Sequence, residues 1–132
     1  MGEADIDPAL LARAFRAPNG ELAWSSVDVW EAIDTLQRSD LAILGGEVWA
    51  VSGGNLLAMP RLASGQSAVI AWGTDERRAE EAWPEFVART AAESRSRIRA
   101  MNPEEAVAPE LREKLYYNFC YVAASAAQGA EA

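Results

Sequence analysis

Between Leu41 and Val51 the chain reads Leu-Ala-Ile-Leu-Gly-Gly-Glu-Val-Trp-Ala-Val, two strand-like apolar runs about a Gly-Gly pair. Glycine permits positive φ and close backbone approach, so Gly45-Gly46 marks a sharp turn, a bulge or a contact point. No phosphate-binding Lys-Ser/Thr follows, and no G-x-G-x-x-G opens onto a helix, which removes the common nucleotide loops. The run is the first of several. Leu41–Leu44, Glu47–Val51, Asn55–Met59 and Ser67–Trp72 read as strands, with Gly45-Gly46, Ser52-Gly53-Gly54 and Ala63-Ser64-Gly65 as corners between them. Connections this short join antiparallel neighbours, and Pro60 either ends its strand or puts that strand at an edge.

Helical patterns flank this section. Asp7-Pro8 pairs an N-cap residue with a proline at the first helical position, and Leu10, Leu11, Ala14 and Phe15 give that helix its apolar side. Pro18-Asn19-Gly20 stops it, and Glu21 to Trp24 reads as a short extended piece. Ser25-Ser26 opens a second helix, with Asp28 completing a capping box and Val29, Ile33 and Leu36 at helical spacing up to Arg38-Ser39-Asp40. After Gly73-Thr74-Asp75 a long helix begins at Ala82 or Trp83, because Pro84 fits only its first turn. Trp83, Phe86, Val87, Thr90, Ser94, Ile98 and Met101 share one face of it. Asn102-Pro103 caps a further turn, and Leu111, Leu115, Phe119 and Val122 predict a last helix from Pro109 to about Ala126, ahead of a frayed tail from Gln128 to Ala132. Helices, then strands, then helices predict one α+β domain over residues 1–132: an antiparallel β-meander of about four strands packed against several helices.

Composition narrows function. A net charge of −8 disfavours nucleic acid, since no basic stripe exists to displace counterions from phosphates. Histidine is absent, which removes the commonest base near neutral pH and the commonest zinc ligand. A single cysteine, Cys120, precludes an internal disulfide and reads as a buried small hydrophobe. No apolar run approaches membrane-spanning length and the first residues lack a signal core, so a soluble cytoplasmic protein is expected. No nucleophile–base motif or metal set supports catalysis, and neither an enzyme nor a cofactor is expected.

At Ile43-Leu-Gly-Gly-Glu-Val-Trp49 the chain resembles the ILGG(D/E)V-aromatic signature of the immunity protein 40 family from bacterial polymorphic toxin systems. Trp30-Glu-Ala-Ile33 with Leu36 fits the helix before it. Trp72, ahead of a charged segment, fits as well, and Glu81-Ala-Trp83-Pro-Glu-Phe-Val-Ala-Arg-Thr90 then fits the Trp-x-x-Phe-x-x-Arg-Ser/Thr helix that similarly follows the sheet. The resemblance spans Val27 to Met101, leaving residues 1–26 as an N-terminal helix and loop and 102–132 as a C-terminal helical extension. It implies an immunity protein that neutralises a cognate toxin domain by stoichiometric contact.

The candidate partner-binding residues are Glu47, Trp49, Trp72, Asp75, Glu76, Glu80, Glu81 and Glu85, with Gly45 and Gly46 as the structural turn. Glu47 and Trp49 share a strand face, which sets an acid beside an indole. Glu47 can instead be a solvated carboxylate at a strand start, or one that accepts the N–H groups of Gly45-Gly46. Trp30 and Trp83 belong to the core, whereas Trp49 and Trp72 depend on which sheet face is covered. The acids from Asp75 to Glu85 either solvate a helix start or dock a basic toxin surface. A small ligand-binding or regulatory domain with a tryptophan-lined pocket is the alternative. Self-association, and the toxin's identity and chemistry, are left open.

Overall fold

The computed structural model describes residues 6–124. In chain order the elements are α1 (Pro8–Arg13), β1 (Phe15–Arg16), β2 (Leu22–Ser25), α2 (Val29–Arg38), β3 (Leu41–Ser52), β4 (Asn55–Leu57), β5 (Ile70–Gly73), α3 (Trp83–Met101), α4 (Pro103–Ala106), a 3-10 turn (Pro109–Lys114) and β6 (Leu115–Ala123). The fold is α+β with an antiparallel sheet.

The sheet has six strands in the order β1-β2-β6-β3-β4, with β5 also on β3. The last strand of the chain therefore lies at the centre, between β2 and β3, instead of extending a meander. β6 pairs with β3 from Leu41↔Ala123 to Ala50↔Leu115. The opposite edge of β3 is shared, β5 covering Gly45 to Val48 and β4 covering Ala50 to Ser52. The β3–β4 hairpin closes through Gly53 and Gly54, both left-handed (φ 59° and 81°), as a two-residue type I′ turn requires.

Two segments depart from the sequence expectation beyond the strand order. The helix expected from Pro109 to about Ala126 is a short 3-10 turn followed by a strand that ends at Ala123; its residues after 124 and the tail lie outside the described residues. In β6, Leu115, Tyr117 and Phe119 face the main core while Tyr116 packs on the other side, so the true period is two. The second correction concerns Gly45-Gly46, which is no corner. β3 runs through it without interruption, and the register slips by one residue between Ile43 and Gly45, leaving Leu44 as a bulge. Gly46 is small for a packing reason: a Cβ there would overlap the Asn118 carbonyl oxygen and the Trp72 ring.

The main core lies between the sheet and α2 and α3, and contains Trp24, Ile33, Leu36, Ile43, Val48, Trp72, Ile98 and Phe119. On the reverse face Ala17, Ala23 and Trp49 pack with Phe15, Leu56 and Tyr116. A third group joins Ala42 to Trp83, Phe86 and Val87 at the start of α3. By strand alternation Ala42 faces away from Leu41 and Ile43. So α3 begins over the reverse face and ends in the main core at Ile98, crossing the edge of β3 on the way.

At that crossing β3 lacks a strand partner, because β5 ends opposite Gly45. The exposed ladder groups are taken by two threonines. Ile43 N–H donates to Thr90 Oγ1 of α3 (3.1 Å), and Thr74 Oγ1 donates to the Ile43 carbonyl (2.7 Å). Leu44 carbonyl accepts from Thr74 N–H at 3.1 Å. A buried main-chain group without a partner costs free energy comparable to a lost hydrogen bond, so these residues substitute for a missing strand.

Two substitutions test this account in denaturant melts. Thr90→Val keeps the shape and strands the Ile43 N–H, and should destabilise by about 1–3 kcal/mol. Gly46→Ala forces a methyl into occupied space and should destabilise by about 1–3 kcal/mol or more. Neutral results would mean that the bulge and the helix crossing relax freely.

Candidate partner-binding surface

The acidic run from Asp75 to Glu85 forms the connection from β5 to α3 and the first turn of that helix. Its conformation is centred on one residue, Arg89. Nε and Nη2 grip both oxygens of Glu81 (2.6 and 2.8 Å), and Nη1 meets Glu93 (2.9 Å). The same guanidinium donates to the Asp75 and Glu76 carbonyls at 3.2 and 3.1 Å. Arginine carries five N–H donors in a planar fork, which lets one side chain bind a carboxylate bidentately and still tie down the backbone. Lysine could not do so.

Around that hub the loop closes on itself. Glu81 also accepts from Arg78 N–H (3.1 Å), and Arg77 Nε donates to the Glu81 carbonyl (3.1 Å). Arg77 stacks over the Trp83 ring, 5.2 Å from its centroid. Glu85 accepts from Ala82 N–H at 2.9 Å, satisfying one of the free donors at the start of α3. Asp75 N–H reaches Glu93 (2.9 Å), and its carboxylate faces Arg97 at 3.3 Å. Glu81 is thus held well below the usual carboxylate range, to about 2, first by its bond with Arg89. The same carboxylate, with Glu93, pushes Arg89 upward.

The acids named from sequence therefore divide by role. The Glu81 side chain is 7% exposed and committed to Arg89, so it presents no charge to a partner. Asp75, Glu76, Glu80 and Glu85 are exposed. Arg78, Ala79, Glu80, Glu81 and Glu85 line an open groove of about 510 Å³. On the reverse sheet face Glu47 is half-buried and accepts from Trp49 Nε1 at 3.0 Å, so the acid and indole do meet. Trp49 itself is buried, 4% exposed. Trp72 is buried too, with its N–H on Ser94 Oγ at 3.1 Å and its ring edge-on to Phe119. Both indoles belong to packing, and the sheet face offers a partner little of either. Cys120, read as buried, is exposed, because its strand position points to the reverse face.

Sequence reasoning placed Arg89 in a pattern without giving it a task. The available signal was its spacing, one helical turn before Glu93 and on the helix that Glu81 precedes. Two further grooves of about 220 Å³ lie beside Asn118–Tyr121 and beside Ser25–Val27, and none of the three grooves is lined by tryptophan. Among the described residues no cluster of three or more Cys, Asp or Glu side chains could hold a metal ion, and no helix is long and apolar enough to cross a membrane.

The Glu81–Arg89 pair carries a pH signature. Because the folded carboxylate titrates near 2 and an ordinary one near 4.5, its stabilisation is complete above about pH 4.5 and is lost as pH falls towards 2. Melts over that window should show Glu81→Gln losing less stability on acidification than the parent. Parallel curves would remove the pair from the fold's acid response.

Compared with known proteins, residues 15–121 match the model of a family described as Immunity protein 40. The match runs beyond Val27 and Met101 at both ends and takes in most of β6, so the central strand belongs to the matched domain. No curated protein and no solved structure matches the chain.

Proposed function

This chain belongs to the immunity protein 40 family, and from that premise we propose that it neutralises a cognate toxin domain by stoichiometric binding, without chemistry of its own. The observation that carries this reading is the Arg89-held loop, which presents Glu76 and Glu80 outward beside an open groove. Association costs less when the contacting segment is already ordered. Here the ordering is done by a guanidinium inside the loop, and neither exposed acid takes part in it through its side chain.

Carboxylates in that setting suit a basic toxin surface. Charges arranged this way act mainly on encounter and on the choice of partner. Asp75 and Glu85 stand at the margins of the same surface, each partly engaged, by Arg97 and by the helix start. Glu47, half-buried against Trp49, is a secondary contact at most. No cofactor enters this mechanism, and a cytoplasmic site of action suits it.

The test uses a toxin domain that co-purifies with this chain or is encoded beside it. Reversing Glu76 and Glu80 together, Glu76→Lys with Glu80→Lys, leaves the Arg89 network intact, which reversal of Glu81 would not. Association should slow by roughly tenfold at low salt and far less at high salt. The melting temperature should stay unchanged. Unaltered association kinetics would take this loop out of the interface. Failure of the chain to protect cells that express the toxin domain would sink the reading altogether.

A further inference from the structure

One stretch of the surface has the opposite character to the acidic loop. From Ser52 to Thr74 the single charged residue is Arg61, and it is ion-paired with Glu110. Three large hydrophobics stand exposed on this stretch: Leu57 (38%), Met59 (54%) and Val69 (53%). Two of them are brought near each other. Ala68 N–H donates to the Pro60 carbonyl at 3.3 Å and Arg61 bridges Ser67, which brings Met59 towards Val69.

β4 terminates the strand order, so its outer side is a sheet edge. In a hairpin with a two-residue turn, Ser52–Asn55 and Ala50–Leu57 are the hydrogen-bonded pairs. The N–H and C=O of Leu56 therefore point away from β3, and among the described residues no main-chain group bonds them. Soluble proteins guard such edges with lysine, inward charges or a covering element. Within Asn55–Leu57 there is no charged residue.

We propose that this edge pairs antiparallel with β4 of a second copy, forming a twofold dimer centred near Leu56 that covers Leu57 and Met59. Charge decides between a copy and the toxin. Each chain carries −8, so two copies repel through most approaches and least through a strip whose own residues include no carboxylate and whose neighbouring Glu110 is neutralised by Arg61. A basic partner is drawn instead to Glu76 and Glu80, and a strip whose charges are the Arg61–Glu110 pair and Lys114, which bonds Ser52, gives it little. An antiparallel strand pair is self-complementary, as a closed twofold interface must be. The two interfaces also respond oppositely to salt: dimerisation strengthens as the −8 charges are screened, whereas docking of a basic toxin weakens.

Sedimentation of the full chain from low micromolar to millimolar concentration is the test, and it stands apart from the toxin reading. A species of twice the 14.3 kDa chain mass should grow with concentration and with salt. Leu57→Lys with Met59→Lys should raise the dissociation constant at least about tenfold at an unchanged melting temperature. Should the double variant fold poorly, Met59→Lys alone must still weaken the dimer. A chain monomeric throughout, or a dimer indifferent to these lysines, overturns the proposal. So does a result in which the lysines impair binding of the co-purifying toxin domain while self-association is unaffected.

Discussion

The hydrogen bonds that replace a strand at Ile43 organise the rest of the molecule. β3 has β6 along one side for nearly its whole length, yet on the other side it loses β5 at Gly45. A buried strand end without a neighbour is costly unless something else supplies donors and acceptors. Thr90 and Thr74 do so from elements on either side of the acidic loop. Pinning Thr90 to Ile43 fixes the position of α3 along the sheet. Ser94, one turn further, then meets the Trp72 indole, while Arg89 is left facing the loop. One edge defect thus sets the register of the long helix, the seat of a core tryptophan and the conformation of the acidic connection.

Net charge by itself would say little, since an acidic surface also serves solubility. Its distribution says more. Many of the acids are engaged: Glu31 and Asp28 with Arg13, Asp34 with Arg95, Glu81 and Glu93 with Arg89, Glu105 with Arg112. Most of those pairs are exposed and worth little in stability. The Arg89 cluster differs because its side chains are largely covered and it binds main-chain carbonyls as well. Among the described residues Glu76 and Glu80 have no such side-chain engagement. They are free to act on something outside the chain.

How much of this was visible in the residues follows from how local each signal is. α3 was legible because proline, first-turn acids and a long apolar stripe all agree within one segment, and it starts at Trp83 as expected. α2 was legible for the same reason, apart from its start at Val29. β6 was not. Leu111, Leu115, Phe119 and Val122 fall at helical spacing, yet the segment sits between β2 and β3, whose demand for a partner arises far away in sequence. The aromatic run Tyr116-Tyr117-Asn118-Phe119 was the local hint of a strand, and its true period of two appears once both sheet faces are known. Gly45-Gly46 was ambiguous in a similar way. A glycine pair signals a turn or a close approach equally well, and what separates them is Trp72, whose ring lies against Gly46. At the candidate surface the acids were visible as a run, but their division into bonded and free was not. That division depends on the single side chain of Arg89.

The same division explains why family membership and partner choice are separate questions. The residues that carried the resemblance have structural work within the chain. Gly46 admits the Trp72 ring, Trp83 and Phe86 pack on Ala42, Arg89 holds the loop, and Thr90 completes β3. Replacing any of them disturbs the fold before it disturbs recognition. Glu76 and Glu80 carry no such obligation, for their side chains support no bond that shapes the loop. A scaffold of this kind can change the charges it presents at positions 76 and 80 without altering the clamp beneath them. On the proposed reading, specificity is then set by few residues at little cost in stability, provided that Arg89 and Glu81 remain in place.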